Sequence, residues 1–432
     1  HHAARAPGRL HILLLREDGA EEPITYGALR QAAGRVAAAL RRRGLRPQGK
    51  VAIMLPTSRG YFAAFMGALL AGGVPVPLYP PFRLDRIAEY IQREAKILEN
   101  AEAEVLVTFA RAARVAELVR DRVPAIGQVI DVDEALADAS NDTPVAADLR
   151  GEDTALLQYT SGSTGDPKGV ELTHANVLAN IRAAAAGCAL GPGDVSVSWL
   201  PLYHDMGLVG GWLMNLVFGT PTVILSPVTF LSRPERWLQA FSTYHGSIAC
   251  APNFAFDLIV KRVKAEQLAG LDLSRVRALL NGSEPILPAT LERFVAHLAP
   301  AGLRREALFC AYGLAENMVA VTFPPPGRGP WIDAIERVAF EQHGDARPAA
   351  ADAPVGEVLH FVGCGAAVPG HEVRIADERG EPLPDRKQGR ILFRGPSAFK
   401  GYYRNPDATA RVKLAGGWVD SGDLGYLVDG EL

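Results

Sequence analysis

Between residues 51 and 311 short apolar runs alternate with longer amphipathic ones almost without a break, and that alternation restricts the fold more than any other property of the chain. Val51-Ala52-Ile53-Met54-Leu55 has the length of a buried strand, residues 61–70 form an apolar helix, and residues 74–78 supply the next strand. Together they make one βαβ unit with a right-handed crossover. The pattern continues with helices at 83–100 and 111–120 and strands at 104–108 and 128–131. After a connection over 133–150 it resumes with strands at 195–200, 222–225, 247–250, 276–280 and 307–311, separated by helices at 206–218, 234–243, 254–264 and 288–298. Parallel strands need crossovers rather than tight turns, so the expected class is α/β, with two parallel-rich sheets sandwiched by helices. From about Trp331 short strands with Gly/Pro turns take over, as at 372–375 and 390–394, which suggests a small β-rich, barrel-like subdomain. The expected division is residues 1–190, 191–330 and 331–432, with the Ala/Pro/Asp-rich stretch 344–354 as a mobile loop.

Charge and cysteine usage narrow the function. A net charge of −3 with 22% charged residues offers no basic surface to nucleic acid or to an anionic membrane. No apolar run approaches the roughly 18 residues of a membrane span. Cys188, Cys250, Cys310 and Cys364 are far apart without CxxC spacing, and read as small buried hydrophobes in a reducing cytoplasm. The initial His1-His2 pair is set aside as a possible tag remnant.

The chemistry is named by Tyr159-Thr160-Ser161-Gly162-Ser163-Thr164-Gly165-Asp166-Pro167-Lys168-Gly169-Val170. An apolar run at 154–158 precedes it, and Thr173 N-caps a helical pattern that follows, so it reads as a loop between strand and helix. Glycines let the backbone approach a ligand, while Ser161, Ser163 and Thr164 offer hydroxyls to phosphate oxygens or magnesium. Lys168, one of only eight lysines in the chain, supplies the counter-charge. The spacing is not Walker A, because Pro167 stands where that motif needs its second Gly. The string resembles the phosphate loop of the adenylate-forming enzymes: acyl-CoA synthetases, luciferases and peptide-synthetase adenylation domains. That resemblance implies ATP and Mg2+ as cofactors, with Thr160 through Gly165 and Lys168 on the phosphates and Thr164 beside the metal.

Three further strings fall in that family's order. Asn281-Gly282-Ser283-Glu284-Pro285 resembles the turn that frames adenine. Ala311-Tyr312-Gly313-Leu314-Ala315-Glu316 resembles the motif in which the Tyr stacks on adenine and the Glu coordinates magnesium, a hard cation suited to oxygen ligands. Ala315 departs from it, since many members carry there a Thr whose hydroxyl contacts the α-phosphate. Ser421-Gly422-Asp423 resembles the motif whose Asp accepts hydrogen bonds from both ribose hydroxyls. Pro201-Leu202-Tyr203-His204-Asp205-Met206-Gly207 completes the set; by resemblance His204 lies near the acyl carboxylate, and by its residues alone the His-Asp pair equally suggests a base with its orienting acid. The implied catalytic groups are Lys168, Thr164, Glu316 and His204, and the implied acyl site includes Trp199, His204, Asp205, Met206, Gly207 and Phe254. The apolar members of that list fit a tunnel lining or an ordinary core equally well.

Whole strings, among them Leu78-Tyr79-Pro80-Pro81 and Ala251-Pro252-Asn253-Phe254-Ala255-Phe256, are similar to the fatty acyl-AMP ligases, over nearly the entire chain. The resemblance implies activation of a fatty acid to its acyl-adenylate and transfer to the phosphopantetheine thiol of an acyl carrier protein. Coenzyme A as acceptor, or a noncatalytic acyl-adenylate-binding module, are the competing readings. That branch carries an insertion after the magnesium motif, for which 331–355 is the candidate. Arg390 stands where the family usually has Glu. The family's lid lysine comes well after the ribose-binding Asp, and the chain stops nine residues beyond Asp423, so a core without its C-terminal lid domain, weakly active or inactive alone, is expected.

Overall fold

Continuous rather than alternating burial builds the first sheet. Val51, Ala52 and Ile53 are all fully buried, as strands covered by helices on both faces must be. Lys50–Ile53 pairs in parallel with Val74–Pro77 on one side and Ala103–Thr108 on the other, and Gln128–Asp131 completes a four-stranded parallel sheet. The computed structural model describes residues 1–81, 84–138, 147–160 and 167–432. The helix Arg59–Ala71 starts at Ser58, whose Oγ accepts from the Tyr61 N–H, and ends at Gly72 in the left-handed conformation. It packs on Tyr26–Arg42 through Gly67, where a Cβ would stand 2.7 Å from that of Val36.

The second sheet has seven strands in the order Leu308–Cys310, Ala278–Asn281, Ile248–Ala251, Ser196–Ser198, Thr222–Leu225, Leu10–Leu15, Glu21–Thr25. Every pairing is parallel except the last, an antiparallel hairpin. The N-terminal hairpin thus joins strands some 200 residues away, with Ile12 fully buried among them. The alternation read from the sequence begins at Val51 and does not reach this hairpin.

The phosphate loop departs from the expected strand–loop–helix order. Thr154–Thr160 and Lys168–Thr173 pair antiparallel, with Thr160 opposite Lys168, so the loop is the connection of a hairpin and the helix His174–Gly187 begins only afterwards. The cause is the alternation in Lys168–Thr173, where Val170 and Leu172 turn into the core at period two. The helix begins at Thr173 as expected, through a reciprocal capping box with Asn176. Gly401–Tyr402 adds a third strand to this hairpin, along Lys168–Thr173.

The C-terminal part is β-rich, but among the described residues it forms no closed barrel. Glu372–Ala376, Gly389–Arg394 and Val419–Gly425 make one antiparallel sheet, while Ile332–Glu336 with Val358–Val362, and Thr322–Phe323 with Ala366–Ala367, form separate pairs. Strands of two to seven residues interrupted by Gly and Pro turns offer too little continuous ladder to close a cylinder. The helix Arg337–His343 lies inside the 331–355 interval. The 344–354 stretch is pinned, not loose: Ala346 is fully buried and its N–H donates to the Arg386 carbonyl at 2.7 Å. No helix of the described residues is long and apolar enough to cross a membrane.

Candidate active site

Strand ends and the turns after them position the reacting groups. Lys168 stands where the phosphate loop re-enters its hairpin, with its ammonium 5.1 Å from the ring centroid of Tyr402. The Tyr402 hydroxyl donates to Glu316 Oε1 at 2.7 Å. Glu316 occupies the single turn Ala315–Asn317, fixed by the Phe399 N–H donating to the Glu316 carbonyl at 2.8 Å. Asn317 beside it donates to the Ala320 carbonyl at 2.7 Å and accepts from Ser397 Oγ at 3.1 Å, and Ser397 in turn accepts from the buried Asn180 at 3.0 Å. Burial raises the pKa of Glu316, and the Asp205 charge adds to that; the Tyr402 hydrogen bond and the Lys168 charge only partly offset it.

Tyr312 begins the same connection and donates its hydroxyl to Asp423 Oδ2 at 2.8 Å. Burial, followed by the Asp423 charge, holds that phenol well above its ordinary pKa, so it stays a donor. Gly313 permits the tight return: a Cβ there would meet the Val319 carbonyl oxygen at 1.7 Å. Tyr402 thus links Lys168 to Glu316, and Tyr312, four residues before Glu316, links the same connection to Asp423. Ser161, Gly162, Ser163, Thr164 and Gly165 lie outside the described residues.

Three cavities meet here. The largest, about 500 Å³, is lined by Ser283, Glu284, Pro285, Tyr312 and Asp423. A narrow, mainly apolar one of about 60 Å³ shares Ser283, Ala311, Tyr312 and Gly313 with it, is bordered by Asn281 and Gly282, and runs inward between Val209, Gly210, Met214 and Cys250. Asp205 and Met206 line it as well. A third, about 210 Å³, is lined by Thr160, Gln158, His204, Asp205 and Glu94 among others. Glu94 is 1% exposed with both carboxylate oxygens unpartnered, and burial pushes its pKa up to about 7. Leu314 and Ala315 face the core rather than any of these spaces.

His204 Nδ1 lies 2.7 Å from Asp205 Oδ1 and its side chain is half exposed. Its low-dielectric surroundings oppose protonation, but the hydrogen bond and charge of Asp205 outweigh them and raise its pKa. The same Asp205 oxygen accepts from the Met206 N–H at 2.6 Å and starts Met206–Leu213, which is wound as a π-helix rather than the expected α-helix. Gly207 sits so close to Pro201 that a Cβ would overlap its carbonyl. This wider winding, common at functional sites, turns Val209 and Gly210 toward the apolar cavity. The other two apolar candidates lie elsewhere. Trp199 is buried and stacks on Phe230 with centroids 3.8 Å apart, and Phe254 is an exposed ring packed edge-on against it at 6.0 Å.

Sequence reasoning passed over Tyr402, Glu94 and the π-winding. The Gly401-Tyr402 pair was a possible signal, but its meaning needs the strand beside it. Arg390, unexplained by sequence, here donates to Asp420 Oδ2 at 2.6 Å and to the Glu378 carbonyl at 3.0 Å, bracing the strand that carries Asp423.

Comparison with known proteins gives the family. The chain is 36% identical over 439 residues to the long-chain-fatty-acid–AMP ligase FadD26 of Mycobacterium marinum, covering 97% of this chain and 73% of that protein. It is 34% identical over 417 residues to a putative acyl-CoA synthetase of Caulobacter vibrioides, covering 95% and 71%. A fatty acyl-adenylate ligase from L. pneumophila, solved in complex with acyl adenylate and pyrophosphate, superposes with a TM-score of 0.90 at 30% identity, covering 100% of this chain and 74% of that one. The model of the AMP-binding enzymes matches residues 1–403, and the chain belongs to that family.

Proposed function

We propose that the protein activates a fatty acid with ATP, forming acyl-adenylate and pyrophosphate, and passes the acyl group to the thiol of an acyl carrier protein. The adenylation half is supported by one arrangement: Tyr402 touches both Lys168 and Glu316, and Tyr312, on the same connection as Glu316, bonds Asp423 beside two cavities that share Ser283, Ala311, Tyr312 and Gly313. In this reading the adenosine occupies the larger cavity, with its ring against Tyr312 and its ribose hydroxyls donating to Asp423. The acyl chain enters between Val209, Gly210 and Cys250, and His204 and Asp205 border its carboxylate.

A carboxylate oxygen attacks the α-phosphorus, the bond from that phosphorus to the bridging oxygen breaks, and pyrophosphate leaves with the electron pair. No base is required, since the acid is already ionised at neutral pH. The protein's work is alignment and neutralisation of charge on the leaving phosphates, by Lys168 and the loop hydroxyls. Magnesium fits the Glu316 site, because a half-buried carboxylate beside the phosphate end gives the hard oxygen donor it takes. Bound there, it would neutralise phosphate charge. The carrier-protein acceptor is supported by similarity to a relative named as an AMP ligase, and a cytoplasmic setting by four free cysteines.

ATP–pyrophosphate exchange with the intact protein tests the first half: exchange that depends on a medium- or long-chain acid is expected, and none with any fatty acid would refute it. Supplying holo acyl carrier protein or coenzyme A to the preformed adenylate decides the acceptor. Faster consumption by coenzyme A would replace the carrier-protein assignment.

A further inference from the structure

Gly401–Tyr402 is tied to both charge-handling parts of the site. Backbone pairing of Tyr402 with Val170 and of Gly401 with Glu171 fastens it to the strand that carries Lys168. Just before it, the Phe399 N–H and Ser397 Oγ fasten the chain to the turn that carries Glu316. Tyr402 itself is 7% exposed. Its hydroxyl is committed to Glu316 Oε1 at 2.7 Å and its ring face to the Lys168 ammonium at 5.1 Å. Lys168 and Glu316 thus bear on one and the same side chain, yet among the described residues no carboxylate forms an ion pair with Lys168. Without the side chain that both touch, an ammonium and a carboxylate in a half-buried site attract one another. Each would then neutralise the charge that the other needs to offer a ligand.

We propose that Tyr402 is a positioning residue, which keeps Lys168 and Glu316 from pairing and holds each toward the phosphate end of the nucleotide. The ring face attracts the ammonium without neutralising it, and the hydroxyl fixes one carboxylate oxygen without withdrawing the negative charge. The role rests on the proposed nucleotide site, and it separates two effects that a merely structural tyrosine would not. The hydroxyl serves Glu316, and so the metal; the ring serves Lys168, and so the phosphates.

The test is calorimetric binding of ATP to the intact protein and to the Tyr402→Phe and Tyr402→Leu variants, without fatty acid, first in chelator and then across a magnesium titration. Tyr402→Phe keeps the ring. Its metal-free ATP affinity is expected to stay within about twofold of the unaltered protein, while the magnesium concentration for half-maximal enhancement rises on the order of tenfold, the worth of one hydrogen bond to a charged group. Tyr402→Leu frees Lys168 to pair with Glu316, and is expected to lose on the order of tenfold in metal-free affinity as well. A Tyr402→Phe titration that superimposes on the unaltered one, or a Tyr402→Leu variant that binds metal-free ATP normally, would overturn the role. Failure of the unaltered protein to bind ATP with magnesium would instead remove the nucleotide site on which the role depends.

Discussion

Replacing Glu94 with Gln should make the protein more stable, and increasingly so as pH rises. The carboxylate is buried without a hydrogen-bond partner, and the charge acting in its favour is that of Arg93 on the same helix. Desolvation therefore dominates and carries its pKa from the ordinary 4.5 up to about 7. For an acid whose pKa is higher folded than unfolded, the proton binds the folded state more tightly. The associated stability is fully present below about pH 4.5 and is lost as pH climbs through about 7. At 1.36 kcal/mol per unit, the loss is on the order of 3 kcal/mol. Gln has nearly the same shape and no charge to desolvate, so the variant omits that loss. Thermal melts of both proteins at pH 5, 6, 7 and 8 measure it. The two should melt within about a degree of each other at pH 5 and separate by a few degrees at pH 8, with the variant higher. A melting difference that is the same at pH 5 and pH 8 would refute the assignment of a buried, unpaired carboxylate to this position.

Two further substitutions test the backbone of the site and its apolar cavity. Gly313→Ala places a methyl on the Val319 carbonyl, and should lower the melting temperature by several degrees and weaken ATP binding, because the turn from Tyr312 to Glu316 must open; unchanged nucleotide affinity in equilibrium binding would contradict the geometry. Gly210→Val fills the space in front of Cys250, whose sulfur would already lie 2.8 Å from a Cβ there. It should reduce pyrophosphate exchange with long acids by on the order of tenfold for every two methylenes excluded, leave short acids little affected, and thereby shift the chain-length optimum; an unaltered optimum would place the acyl chain elsewhere.

Much of this architecture is legible in the sequence because its signals are local. A continuous apolar run such as Val51-Ala52-Ile53 declares a strand buried on both faces, Thr173 with Asn176 declares a helix start, and the Gly/Ser/Thr loop ending at Lys168 has the make-up of a phosphate loop before any fold is known. The strings around Tyr312, Glu316 and Asp423 likewise carry their chemistry in consecutive residues.

Which strands meet is a different kind of information. Periodicity gives the face a residue turns, not the partner it turns toward, so nothing local announces that Leu10–Leu15 lies beside Thr222–Leu225 or that the phosphate loop closes a hairpin. The barrel-like reading of the C-terminal part failed for the same reason: short strands were visible, but the three separate sheets they form among the described residues depend on long-range pairing. Tyr402 and Glu94 show the consequence for function. One is a tyrosine after a glycine and the other a glutamate on an amphipathic helix, and each acquires its role from groups hundreds or scores of residues away, through a hydroxyl 2.7 Å from Glu316 in the first case and burial without a partner in the second. The sequence by itself determined the elements and the chemical groups on offer; the tertiary structure decided which of them touch, because desolvation and hydrogen bonding act across space and not along the chain.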